Sequence, residues 1–215
     1  MNTKTKTLTL IAMYAAMAYV TVAIFRIPVV LFLSYEPKDV IITLSGLTMN
    51  PIVPLIVSVI VSLLELATIS TTGIIGCLMN IISSCAFACT ASIIYHKKRS
   101  IYGAAIGLLC GALVMVAAML LWNYAITPLY MGVPRAAVVD LLLPAFLPFN
   151  LLKGGLNAAF TFLLYKPVVT ALRKTTLLPK SKTAHKNRFN PVLIGVSIAV
   201  IVTCVLFILA FRGII

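Results

Sequence analysis

The sequence predicts an all-α integral membrane protein, a bundle of six transmembrane helices followed by a seventh, C-terminal transmembrane helix. Three observations lead there. Of the 215 residues, 62% are hydrophobic and only 10% are charged, against about 25% charged in soluble domains. Apolar runs of roughly 18 residues or more, enough to cross a hydrocarbon core as a helix, recur from end to end. These runs do not alternate apolar with polar residues, as the strands of a membrane barrel do.

The first helix covers about 8–25, after a Thr/Lys-rich start. Lys4 and Lys6 ahead of an apolar run resemble a secretory signal, but nothing after it looks like an exported soluble domain, so the helix is retained. A short second helix covers about 38–49 and stops before Asn50-Pro51. The third covers about 52–67 and the fourth about 74–95, ending in the basic flank Lys97-Lys98-Arg99. The fifth covers about 101–123, and its Gly103, Gly107 and Gly111 recur every fourth residue, a pattern for close helix packing. The sixth covers about 147–170 and begins near Pro148. Residues 173–190 are polar, basic and without apolar periodicity, which makes them a linker to a last helix at about 191–211. The organisation is then a membrane domain (1–172), a basic linker (173–190) and an added helix (191–215).

The net charge of +13 does not point to nucleic acid, because most Lys and Arg flank apolar runs. With the N-terminus inside, twelve Lys and Arg fall on the cytoplasmic side and four (Arg26, Lys38, Arg135 and Arg212) outside. The positive-inside rule therefore places the N-terminus in the cytoplasm, and a seventh span places the C-terminus outside. The four acids, Glu36, Asp39, Glu65 and Asp140, all lie on or near the external side. The five cysteines sit in apolar runs with no His or carboxylate beside them, which suits small buried residues better than a metal site. The P-loop, the H-E-x-x-H and G-x-S-x-G motifs and the dinucleotide fingerprint are all missing, and His96 and His185 lie in basic flanks, so an enzyme is not expected. No internal repeat of the kind found in many secondary carriers is visible.

Lys153 is the informative residue. It lies in FLPFNLLKGGLNAAFTFLLY, a stretch otherwise fit to cross a membrane, where a charge is costly and reads first as functional. Asn150 and Asn157 stand three before and four after it, on the same helical face. Gly154-Gly155 removes bulk beside that face. An ammonium and two amides suit carbonyl and imide groups; alternatively the lysine stem reaches back to the interface and keeps its ammonium wet. Asn80 and Asn123 sit at the same depth on other helices, either as interhelical hydrogen bonds or as walls of a shared cavity. Glu65 is either paired near a helix end or proton-linked. The segments IPVVLFLSYEPKD and TPLYMGVPRAAVVDLLLPAFLP read as apolar loops that can lid a site, and Trp122, Tyr124 and Tyr130 are belt aromatics or pocket walls. Ala12-x-x-x-Ala16 gives the first helix a smooth face for packing or for docking another membrane protein.

The small-residue first helix, apolar first loop, short second helix and late polar helix resemble the substrate-binding (S) components of energy-coupling factor (ECF) vitamin transporters. Within that family, LWNYAITPLYMGVPR and LLPAFLPFNLLKGGLNAAFTFLLYKPV look like the riboflavin-specific members, over about residues 8–172. The resemblance implies a six-helix bundle that captures a vitamin from outside the cell. A membrane coupling protein (EcfT type) and two cytoplasmic ATPases (EcfA type) then supply energy as the whole component topples in the bilayer. It implies that Asn80, Asn123, Asn150 and Lys153 line the flavin site and that Ala12 and Ala16 meet the coupling protein. Leu78 and Met79 are expected against the apolar edge of the flavin and Tyr130 on the pocket lining; Asn157 joins the site from its place on the helical face. Riboflavin is cargo, with no cofactor. The departure from the family pattern is the span at 191–211. The same architecture for thiamine, folate or pantothenate, or a stand-alone proton-coupled carrier, is the alternative.

Overall fold

The computed structural model describes residues 3–174 and 191–211. Long apolar helices dominate it: α1 (Thr3–Ile24), α3 (Val53–Thr68), α4 (Gly73–Lys98), α5 (Ile101–Ala125), α8 (Leu147–Lys174) and α9 (Pro191–Phe211), with a short α2 (Lys38–Thr48) among them. Five helical stretches among the described residues are long and apolar enough to cross a bilayer, and α3 is a shorter apolar helix. Large apolar side chains such as Leu63, Leu109 and Leu121 stand exposed on the outside of the bundle, where lipid rather than water suits them. The protein is a multi-pass helical membrane protein.

The short α2 is the centre of the bundle. Nine of its eleven residues are buried, Lys38 and Asp39 included, and it packs on α1, α3, α4 and α8. Eleven residues rise only about 16 Å, yet α2 carries the chain through the bundle, from Lys38 beside Glu65 to Gly46, whose carbonyl meets His96 at the basic end of α4. Gly46 is pressed against Pro54 and Ser92, where an added Cβ falls 2.4 Å from the Pro54 ring.

α4 and α5 lie closest together. A Cβ at Gly107 falls 2.6 Å from the carbonyl oxygen of Ala91, and one at Gly111 falls 2.6 Å from that of Phe87. Two of the three glycines of the sequence pattern, Gly107 and Gly111, thus let the backbones of these two helices meet, while Gly103 abuts Lys98 and Ser100 at the turn between them.

Both segments expected as irregular loops are structured instead. Residues 27–35 form an antiparallel hairpin, β1 (Ile27–Val30) paired with β2 (Leu33–Tyr35), and the chain reverses at Leu31 with φ +50°. After α5 come α6 (Thr127–Met131) and α7 (Arg135–Leu141), which runs through a π turn (Leu142–Phe146) straight into α8. Pro144 lies in that turn, where its missing N–H removes a helical bond. Phe32 of the hairpin meets Tyr130 of α6 edge to face at 5.1 Å and Phe146 of the π turn at 6.3 Å. Hairpin and short helices therefore form one cap over one end of the bundle. The basic residues Lys97, Lys98 and Arg99 lie at the opposite end of α4 from Gly73, where α4 begins beside the cap.

α9 packs on α8, with Val200 and Cys204 over Gly155, and Ile208 joins the cluster formed by the hairpin and α8. Residues 175–190, most of the expected linker, lie outside the described residues, as does Arg212.

Candidate functional site

Under the cap the bundle holds a partly open cavity of about 270 Å³, just below the usual range for small-molecule sites, roughly 300–1,000 Å³. Its wall mixes two kinds of side chain. Apolar ones are Phe32 and Leu33 from the hairpin, Met79 from α4, Met119 from α5 and Phe149 from α8. Polar ones include Asn80 and Ser83 from α4, Asn123 from α5, and Asn150 and Lys153 from α8, with Arg26 and Glu36 at the foot of the hairpin. A small apolar recess beside it, lined by Trp122, Tyr130 and Ile75, shares Phe32, Thr72 and Met79 with the main cavity.

The polar side chains are each half committed. Asn150 is buried and its amide nitrogen donates to the Phe146 carbonyl at 2.7 Å, which leaves its oxygen as an acceptor for a guest. Asn123 accepts from Thr127 Oγ1 at 2.9 Å, which leaves its NH2 as a donor. Asn80 donates to Glu65 Oε2 at 3.1 Å and keeps its oxygen. Lys153 Nζ lies 3.0 Å from Asp39 Oδ2 and donates to Ser83 Oγ at 3.3 Å. An ammonium has three N–H donors, so one remains for the cavity. Acceptors and donors from three helices thus line one space that apolar side chains share. That arrangement fits a flat molecule with one greasy edge and one edge of carbonyls and N–H groups.

Beneath and beside this wall runs a buried ionic network that the sequence reading did not foresee. The sequence assigns Arg26, Glu36, Lys38 and Asp39 to the external side of the membrane and does not pair them. The structure turns Lys38, Asp39 and Glu36 inward, with exposures of 0%, 0% and 4%. Lys38 Nζ bridges Glu36 Oε2 and Glu65 Oε1, each at 2.6 Å. Arg26 clasps Glu36 Oε1 at 2.7 Å and reaches the Ile69 carbonyl at 3.3 Å. Asp39 accepts from Lys153, Ser84 and Asn157. Three cations meet three carboxylates, as buried charges must if they are to stay ionised. At Glu36, between the hairpin and α2, burial pushes the carboxyl up, but Lys38, Lys153 and Arg26 outweigh it and hold the group at about 2.

Of the residues singled out from sequence, Met79, Asn80, Asn123, Asn150 and Lys153 line the cavity, and Tyr130 lines the adjoining recess. Leu78 is not on either wall: it is 48% exposed on the outer face of α4, because it is one residue, about 100° of helix, from Met79. Asn157 lies one turn below the cavity, fully buried, and donates to Asp39 at 3.3 Å; it supports the site rather than lining it. Glu65 is paired with Lys38 and Asn80. Ala12 and Ala16 are exposed on α1, on the side away from buried Tyr14, Ala15 and Ala18. Among the described residues no cluster of His, Cys, Asp and Glu forms that could hold a metal ion.

The family model for the ECF transporter substrate-specific component matches residues 6–165. The chain belongs to that family. It is therefore a transport component, not an enzyme, and works as part of a larger ECF transporter. The match ends within α8, so α9 lies beyond it. Among curated relatives, the riboflavin transporter RibU of Staphylococcus aureus (strain TCH60) is 28% identical over 177 residues, covering 79% of this chain and 93% of that protein. Among solved structures, one described as the structure and mechanism of the S component of a bacterial ECF transporter superposes with a TM-score of 0.68 at 28% identity. It covers 79% of this chain and 99% of its own. The helical bundle of this S component is thus that of its family.

Proposed function

We propose that this S component captures riboflavin in the cavity beneath the hairpin and delivers it inward with energy from partner ATPases. One observation carries the reading: Asn80, Asn123, Asn150 and Lys153, from three helices, line a single cavity together with the apolar side chains of Phe32, Leu33, Met79, Met119 and Phe149. The pyrimidine edge of the flavin ring meets the polar side chains, with Asn150 and Lys153 on its carbonyl and imide groups. The dimethylbenzene edge packs on Met79, Phe32 and the recess by Tyr130 and Trp122. The likeness to the S. aureus riboflavin transporter supports the same choice of vitamin. Riboflavin is cargo here, not a resident cofactor.

The positive-inside distribution supports a cytoplasmic N-terminus, with the hairpin cap and cavity on the extracellular side and the C-terminus outside if α9 spans. The exposed Ala12 and Ala16 offer a smooth face for the membrane coupling protein (EcfT type), which links the component to two ATPases (EcfA type). Residues 1–172 form the binding domain, 173–190 a cytoplasmic linker and 191–215 an added membrane helix. The pairing of Glu65 with Lys38 argues against a proton-coupled carrier, since that carboxylate is already committed. Uptake of labelled riboflavin by cells expressing the chain tests the reading. Uptake is expected to need the ATPases and to survive a collapsed proton gradient while ATP lasts; uptake without the ATPases contradicts it.

A further inference from the structure

Each cation at the cavity is already held by a carboxylate. Arg26 gives Nε to Glu36 Oε1 at 2.8 Å and its terminal nitrogen to the same oxygen at 2.7 Å. Lys153 is held by Asp39 at 3.0 Å. Lys38 sits between Glu36 and Glu65 and does not line the cavity. The Arg26 side chain is 32% exposed and the Lys153 side chain 8%, so Arg26 marks the outer part of the site and Lys153 the inner. Arg26 and Glu36 line the same cavity as Asn150 and Lys153. A phosphorylated guest would meet no cation there that is free of a carboxylate. It could engage Arg26 only by drawing it away, leaving Glu36, 4% exposed, short of one of its two cations.

We propose that Glu36 sets the charge specificity of the cavity: by holding Arg26 it makes the site one for the uncharged vitamin and a poor one for its 5′-phosphate. This rests on the riboflavin reading above. Glu36 is a specificity determinant and not merely a brace for the hairpin, because both it and the Arg26 it holds line the cavity. Removing its charge leaves Lys38 with Glu65 and leaves Arg26 without a carboxylate, so the outer cavity becomes cationic.

The test is a pair of titrations, riboflavin and riboflavin 5′-phosphate, against the purified full chain in detergent. The wild type is expected to prefer riboflavin by at least about tenfold, Glu36→Gln to narrow that ratio by about tenfold, and the double variant Arg26→Gln/Glu36→Gln to restore it. Arg26→Gln alone is expected to widen it, and this variant decides the matter if Glu36→Gln does not purify as folded protein. A wild-type ratio near one, a ratio unmoved in Glu36→Gln or in Arg26→Gln, or a double variant that stays narrowed overturns the proposal. Failure of the wild type to bind riboflavin at all strikes the riboflavin reading itself, a result distinct from binding without charge discrimination.

Discussion

The ammonium of Lys153 stands 3.0 Å from Asp39 Oδ2 and ties α8 to the first turn of α2. Lys153 thereby has two duties, as a wall of the cavity and as the counter-ion of a fully buried carboxylate. These duties separate on mutation. Lys153→Ala is expected to weaken riboflavin binding by about 1.5–3 kcal/mol, the range for a hydrogen bond to a charged group. It also leaves Asp39 uncompensated, which costs about 3–5 kcal/mol of stability. Lys153→Ala/Asp39→Ala should recover much of the thermal stability and none of the binding. Recovery of both would place Lys153 outside the binding site.

The α4–α5 contact makes a second expectation. The atoms that meet a Cβ at Gly107 or Gly111 are backbone carbonyl oxygens at 2.6 Å, and backbone cannot rotate aside as a side chain can. Gly107→Ala and Gly111→Ala should each lower stability by about 1–3 kcal/mol, read as a fall in Tm in detergent. Gly132, at φ +65° with open space around it, should suffer on alanine substitution through its backbone conformation alone.

Thr161 is the contrasting case. It lies one turn below Asn157 on α8, fully buried, and its hydroxyl has no hydrogen-bond partner among the described residues. An unpartnered buried hydroxyl costs free energy, so Thr161→Val should leave stability unchanged or raise it by up to about 1–3 kcal/mol, read as an equal or higher Tm. A clear loss of stability would mean that the hydroxyl has found a partner, such as an internal water.

Acid should loosen the foot of the hairpin. The Glu36 carboxyl is held at about 2 in the folded protein against an ordinary 4.5. A depressed carboxyl stabilises the fold above its unfolded value, and that contribution fades as pH falls through the folded one. The contribution of Glu36 should therefore be complete above about pH 4.5 and lost on acidification toward pH 2. Tm measured across that window should fall further in the wild type than in Glu36→Gln. Parallel curves would contradict the pairing of Glu36 with Arg26 and Lys38.

The long helices were legible because a bilayer imposes a length and a composition on whatever crosses it. The polar face of α8 was legible for the same reason: Asn150, Lys153 and Asn157 stand out against an apolar run, and the helical period puts them together. The hairpin was not, since it turns at Leu31, a residue that carries none of the Gly or Asn signals of a tight turn. The ionic network was hidden by distance along the chain. Lys38 and Glu65 are 27 residues apart and Asn157 and Asp39 are 118 apart, so no local pattern marks them as partners. Charges beside an apolar helix look like surface charges until the bundle closes around them. The one available signal was the oddity of three acids and two bases gathered near the ends of otherwise apolar segments at one side of the membrane.

Trp122 is the sole tryptophan of the chain and lines the recess that joins the cavity. Titration of riboflavin against the purified protein, followed by Trp122 fluorescence, tests the occupancy of this site directly. Quenching that saturates at one riboflavin per chain, and that weakens in Lys153→Ala, is the expected result. Quenching without saturation, or an equal response from Lys153→Ala, would contradict a flavin seated between the hairpin and α8.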